Sequence, residues 1–197
     1  MINEIVNLEW EMFQNVENTG GRANCQDDYE TFYIMRASQY KCFAHEVLVS
    51  YLNDLKEAKA HSRNLILEKY ARMMAYTHLE EYEQIKDYFE PLDDQALEII
   101  EQIVEIQLHW RKEFKRHFPK LIQLSRQSYS THDSHEHTSF ETYLRGELMT
   151  YSKQTLILYT QMIVDYYKCN INLVTSIMHE TIKFYGYESL EEAEAKL

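Results

Sequence analysis

The stretch Ile2 to Val16, INEIVNLEWEMFQNV, decides the fold. Read at helical spacing, it places Ile2, Ile5, Val6, Glu9, Met12, Phe13 and Val16 on one face of a helix. Every member of that stripe is apolar except Glu9. A carboxylate set into a core-facing stripe is costly unless it is paired, hydrogen-bonded or protonated. Glu9 therefore points to a polar pocket inside an otherwise apolar helical core.

Working outward, the same pattern recurs. A long helix over about Tyr29–Ala60 carries the stripe Phe32, Arg36, Gln39, Phe43, Val47, Tyr51, Leu55, with Arg36 and Gln39 on a face otherwise apolar. Asp27 or Asp28 is its expected cap, with Asp27 and Glu30 at capping spacing. Further helices are predicted over about Asn64–Tyr76 and Thr77–Phe89, the latter opened by a Thr77/Glu80 capping box. Pro91, Asp93 and Asp94 then break the chain. A helix over about Asp94–Phe118 has Gln107 in the stripe Ile100, Ile103, Val104, Gln107, Trp110, Phe114, Phe118, and Pro119 ends it. The polar segment Gln127–Thr138, QSYSTHDSHEHT, is the expected mobile loop. Thr138 and Glu141 are at capping spacing ahead of a helix over about Ser139–Cys169, whose stripe contains Glu147. Helices over Leu173–Phe184 and from Ser189 onward close the chain.

Composition agrees with this reading. Only four Gly and two Pro in 197 residues leave little turn chemistry, which favours long helices over strands. Sixteen Tyr make the core semi-polar. A chain of this length buries roughly 70% of its unfolded surface, so one domain needs neither metal nor disulfide. The net charge of −12 disfavours general binding to nucleic acid or anionic lipid, though not a local basic site. No apolar run approaches the roughly 20 residues of a membrane span. No signal-peptide pattern opens the chain. Cys25, Cys42 and Cys169 form no C-x-x-C pair and read as reduced thiols of a cytoplasmic protein. Cys25, ahead of a helix start, is the most plausible reactive one.

Two halves, about 1–90 and 94–197, match each other within the single all-α domain 1–197. Ile5–Glu9 matches Ile103–Gln107, Thr31-Phe32 matches Ser139-Phe140, Asn64-Leu65 matches Asn172-Leu173, and Tyr76–Glu81 matches Tyr187–Glu192. The order is the same, so a duplicated helical unit is expected, with seven or eight helices in all. In this alignment Glu9 stands opposite Gln107 and Gln39 opposite Glu147. Packing about a pseudo-twofold axis would bring all four together, with Arg36 one turn from Gln39.

The blocks LEWEMF (Leu8–Phe13), GGRANCQDD (Gly20–Asp28), TFYIMRASQ (Thr31–Gln39), EKYARMMAYT (Glu68–Thr77) and SFETYLRGELMTYS (Ser139–Ser152) resemble the signature blocks of a bacterial and fungal family known only as a domain of unknown function. The resemblance spans essentially the whole chain. It implies no activity, and it draws attention to Glu9, Glu11, Arg22, Gln26, Asp27, Asp28, Arg36, Gln39, Arg145 and Glu147. The HDSHEH stretch is not part of the family pattern.

These residues leave three functions open. The first is a cytoplasmic small-molecule-binding protein, with Glu9, Arg22, Arg36, Gln39, Gln107, Arg145 and Glu147 as candidate ligand-binding residues between the halves. The second is an enzyme on a small metabolite with Glu9 or Glu147 as general acid or base, since two close carboxylates repel and one pKa should rise. The third is an interaction or scaffold protein whose buried polar set is structural. No cofactor fingerprint is visible, so the cofactor is left unknown. The absence of Glu-x-x-His and His-Glu-x-x-His argues against a di-iron or zinc centre. His132, His135 and His137 read as an adventitious surface metal site rather than a built one. In GGRANCQDD, Arg22 either meets an anion beside exposed backbone N–H groups or pairs with Asp27 or Asp28.

Overall fold

The computed structural model describes residues 1–17, 21–135 and 137–197. Gly20, in the glycine pair of the GGRANCQDD block, and Glu136, in the histidine loop, lie outside the described residues. Among the described residues there are ten α-helices, four short 3-10 turns and no strand. The helices are α1 (Ile2–Gln14), α2 (Tyr29–Lys41), α3 (His45–Ala60), α4 (Leu65–Thr77), α5 (Leu79–Ile85), α6 (Asp94–His117), α7 (Phe140–Leu148), α8 (Lys153–Lys168), α9 (Leu173–Phe184) and α10 (Leu190–Lys196).

The count exceeds seven or eight because two expected helices are each broken in two. The break between α2 and α3, at Cys42–Ala44, contains no Gly or Pro and no side-chain cap. What stabilises it comes from α8. The Tyr166 hydroxyl donates to the Cys42 carbonyl at 2.8 Å, and the Ala44 amide reaches the Met162 sulfur at 3.1 Å. The break between α7 and α8 is stabilised in turn from α3. The Ser152 amide donates to Asp54 Oδ2 at 3.1 Å, and the Ser152 hydroxyl caps the Thr155 amide. Freed backbone groups need partners, and here each pair of helices supplies them to the other.

The caps place the other boundaries. Asp28 rather than Asp27 accepts from the Thr31 amide, and Ser139 rather than Thr138 accepts from Thr142. Thr77 does not open α5. It is the last residue of α4, and His78 stands at the α5 start with no side-chain cap bond. Ser189 caps α10 as its spacing predicts.

α1 packs against α2, α3 and α4, and α6 packs against α7, α8 and α9. Across the molecule α3 packs on α8, α2 on α9, and α4 on α7. The α4–α7 approach is close at Gly146, where an added Cβ would lie 2.7 Å from Met73 Cγ and 3.1 Å from the Lys69 carbonyl oxygen. Two asparagines tie helices in the same way. Asn64 caps α4 and donates to the Met12 carbonyl of α1, while Asn172 caps α9 and donates to the Trp110 carbonyl of α6. Trp110 is core, and Trp10 is half-buried among Phe13, Tyr29 and Phe32.

The segment expected to be mobile is bonded at many points. Asp133 accepts from the Ser139 amide and the Thr142 hydroxyl, and Glu141 accepts from the Ser130 amide. The Gln127 carbonyl accepts from the Phe140 amide at 2.7 Å. Among the described residues no helix is long and apolar enough to cross a membrane.

Candidate functional site

The α1 stripe buries Glu9 completely, beside Ile5, Val6, Met12 and Phe13. Its carboxylate is paired, as the cost of burial demands. Arg36, from α2, places Nε 2.8 Å from Glu9 Oε2 and Nη2 2.5 Å from Oε1. The Tyr40 and Tyr51 hydroxyls also donate to Oε1, at 2.7 and 2.8 Å. Nη2 further touches the Tyr40 hydroxyl. The remaining arm of the guanidinium crosses to the other half of the chain. Arg36 Nη1 lies 2.8 Å from Glu147 Oε2 and 2.9 Å from the Gln39 side-chain oxygen. Gln39 donates in turn to Glu147 Oε1 at 2.7 Å.

Lys69, from α4, completes the cluster with Nζ 2.8 Å from Glu147 Oε2. Its ammonium also sits 3.5 Å from the centroid of the Tyr143 ring. Two carboxylates and two cations thus balance, all four buried. A fork-shaped guanidinium is suited to bridging two carboxylates, since its donors lie in fixed directions.

The charges do not repel as two isolated carboxylates would. Burial alone would push the Glu147 carboxyl up, but Arg36 and then Lys69 outweigh it and hold that group well below the usual carboxylate range. The expected raised carboxyl is therefore not found at Glu147, because two cations stand beside it. For Arg36, burial disfavours the charge, yet Glu147 and Glu9 hold it firmly protonated. Burial, reinforced by the nearby carboxylates, pushes the Tyr40, Tyr51 and Tyr151 phenols up, so they stay donors at neutral pH.

Four of the seven ligand-binding candidates, Glu9, Arg36, Gln39 and Glu147, meet in this one cluster. Gln107 does not join it directly. It donates to the Tyr159 hydroxyl at 2.9 Å, and Tyr159 packs edge-on against Tyr151, whose hydroxyl is 3.5 Å from Glu147 Oε1. The α1 and α6 stripes thus each meet a tyrosine: Glu9 meets Tyr51 of α3, and Gln107 meets Tyr159 of α8.

Arg22 and Arg145 lie apart. Arg22 pairs with Asp27 at 2.9 Å and also bonds Gln14 and the Gln26 carbonyl. The buried Gln26 ties that loop to the end of α1 by donating to the Phe13 and Val16 carbonyls. Arg145 forks onto Glu101 at 2.6 and 2.8 Å, bonds Glu141 at 3.0 Å, and lies over the Tyr76 ring. Arg145, Glu101 and Glu141 border a shallow cleft of about 320 Å³ with Glu98 and Glu105.

A second cleft, of about 300 Å³, opens where the two halves meet. Asp54 and Glu57 of α3, Arg63, Glu68 and Arg72, Glu90–Leu92, and Met149–Lys153 line it. Arg63 is forked onto Glu68. Arg72 donates to the Glu90 carbonyl through Nη2, while its Nε is buried without a hydrogen-bond partner. Tyr151, which touches the ion cluster, lines the cleft, whereas Glu9 and Glu147 do not.

Lys69 was not among the candidates read from the sequence. It lies between Leu65 and Met73 at four-residue spacing on α4, so the stripe test that found Glu9 finds it too. Arg111 was missed as well. It is buried and bonds Ser125, Ser128 and the Arg126 carbonyl. Cys25 and Cys169 are exposed, and burial pushes the Cys42 thiol up to about 11. The His135 ring packs against His78 at 4.3 Å, and among the described residues no three His, Cys, Asp or Glu side chains are arranged to hold a metal ion.

Fold and cluster together define an all-helical domain whose central helices are joined by a buried, charge-balanced ion network. The chain belongs to the family described as protein of unknown function DUF4125, which it matches over residues 1–195. Comparison with curated proteins and with solved structures found no match.

Proposed function

We propose that this protein binds a small polar molecule in the cleft at the seam of its two halves, with the ion cluster as the rigid frame behind it. The observation that carries this reading is Arg72, which lines a cleft of about 300 Å³ and has a buried Nε with no hydrogen-bond partner among the described residues. A buried donor without an acceptor is costly, and a ligand acceptor would relieve it. The volume suits a small ligand, at the lower end of the usual range. Lys153, Asp54 and Glu57 add charged groups with no ion-pair partner among the described residues, so the ligand is polar.

Of the seven candidates, Glu9, Arg36, Gln39 and Glu147 then act indirectly, holding Tyr151 in place through Glu147. A structural role for the cluster is favoured by its saturation: each carboxylate oxygen already accepts at least one bond. Acid or base catalysis by Glu9 or Glu147 would require one of them to reach the cleft. The two halves are further proposed to be copies of one helical unit in a cytoplasmic protein. The matched Asn64 and Asn172 ties and the matched Glu9–Tyr51 and Gln107–Tyr159 bonds support the duplication.

Native mass spectrometry of the purified protein tests the binding, backed by thermal shifts with a panel of small polar metabolites. The expected result is an added mass or a saturable shift that disappears in Arg72→Leu. A bare mass with no shift across the panel, or a response unchanged in Arg72→Leu, would overturn the reading.

A further inference from the structure

Seven charged side chains are buried among the described residues, and six of them meet an opposite charge. Arg111 does not. Its Nε donates to the Ser128 hydroxyl at 2.9 Å, and Nη2 donates to the Ser125 hydroxyl at 2.8 Å and to the Arg126 carbonyl. All three acceptors are neutral. An uncompensated buried charge is among the most costly things a fold can contain. Burial accordingly pulls the Arg111 guanidinium down to about 10, with no carboxylate opposing it. The acidic side chains Glu141 and Asp133 of the loop–helix junction are already taken, Glu141 by Arg145 and the Ser130 amide and Asp133 by the Ser139 amide and the Thr142 hydroxyl.

Further donors lie on the same loop. Among the described residues Arg111 bonds through Nε and Nη2 and leaves Nη1 without an acceptor. The Ser128 hydroxyl accepts from Arg111, and its own proton has no acceptor among the described residues. Arg126 uses only Nη1, on the Thr138 carbonyl at 3.1 Å. The two guanidiniums lie over rings one turn apart on α7, Arg111 over Phe140 at 4.7 Å and Arg126 over Tyr143 at 4.6 Å. Two guanidiniums and a hydroxyl beside one helix thus have no carboxylate partner among the described residues.

We propose that Arg111, Arg126 and Ser128 form a binding site for a phosphate-type oxyanion at the turn leading into α7. The anion supplies the charge Arg111 lacks and accepts from Nη1, the Ser128 hydroxyl and Arg126. A tetrahedral oxyanion with several acceptor oxygens matches this set better than a single carboxylate, and arginine forks are suited to it. The site is separate from the seam cleft, whose lining includes none of these residues.

The probe is inorganic phosphate, titrated into the full chain with chloride holding the ionic strength constant. The thermal midpoint and the amide resonances of Ser125–Ser128 are followed together. A saturable rise in midpoint with shifts centred on those amides is expected. Both should be lost in Arg111→Met, weakened in Arg126→Gln and Ser128→Ala, and kept in Arg116→Gln, an exposed arginine of the same helix. Should Arg111→Met fail to fold, Arg126→Gln and Ser128→Ala decide, and each must weaken binding. A response equal to that of chloride, or one that persists in the site variants, overturns the proposal.

Discussion

Arg36 carries three of the contacts that join Glu9 to Glu147, so its removal leaves the buried Glu9 with no cation and Glu147 with Lys69 alone. Arg36→Met is expected to destabilise the protein by about 3–5 kcal/mol in urea unfolding. Removing only the acids, as Glu9→Leu with Glu147→Leu, would strand Arg36 and Lys69 instead and is also expected to destabilise. Replacing all four with apolar residues of similar volume should come out near neutral, because the desolvation penalty leaves with the charges. Acid has a defined effect. The Glu147 carboxyl titrates lower folded than its ordinary 4.5, so the unfolded chain binds that proton first. Its contribution is fully present above about pH 5 and is lost as pH falls. The stability gap between wild type and Glu147→Gln should therefore narrow from pH 6 toward pH 3. A constant gap would refute the assignment. At this scale Glu9, Arg36, Gln39 and Glu147 were legible because a polar residue on an apolar stripe is visible in one dimension. The tyrosine partners were not, since a tyrosine keeps the same stripe position whether its hydroxyl meets a carboxylate or water.

The helices themselves were legible from periodicity and caps, but not every boundary. The apolar stripe of α2 runs on through Phe43 and Val47 into α3 without interruption, so periodicity alone predicts one helix. The bonds from Tyr166 and Met162 to the Cys42–Ala44 backbone stabilise the break, and those partners are more than a hundred residues away. Element packing yields two further expectations. Gly146→Ala would drive a methyl against Met73 and the Lys69 carbonyl, separating α4 from α7 at a cost of about 1–3 kcal/mol. A thermal midpoint equal to wild type would show that Met73 yields freely. Asn172→Ala removes both the α9 cap and the tie to Trp110, and should cost about 1–2 kcal/mol. Asn64→Ala should cost a similar amount, and unequal losses would argue that the two ties are not equivalent.

On the scale of the whole molecule, the halves do not sit side by side as separate cores. α2 leans on α9, α4 on α7, and α3 on α8, so each half completes the other. Equilibrium unfolding should accordingly be a single transition, coincident by far-ultraviolet circular dichroism and tyrosine fluorescence. Two resolved transitions would contradict this interlock. The sequence matches suggested two related halves, but not this exchange of partners, because a match in order says nothing of which segments touch. The exchange has a topological consequence. The contacts between halves would be the same if the partner half came from another polypeptide, so an intertwined dimer is energetically close to the single chain. What selects between them is the reach of the Lys86–Asp93 connection, which sets the effective concentration of one half around the other. Trimming that connection is expected to raise the proportion of swapped dimer in size-exclusion chromatography with light scattering.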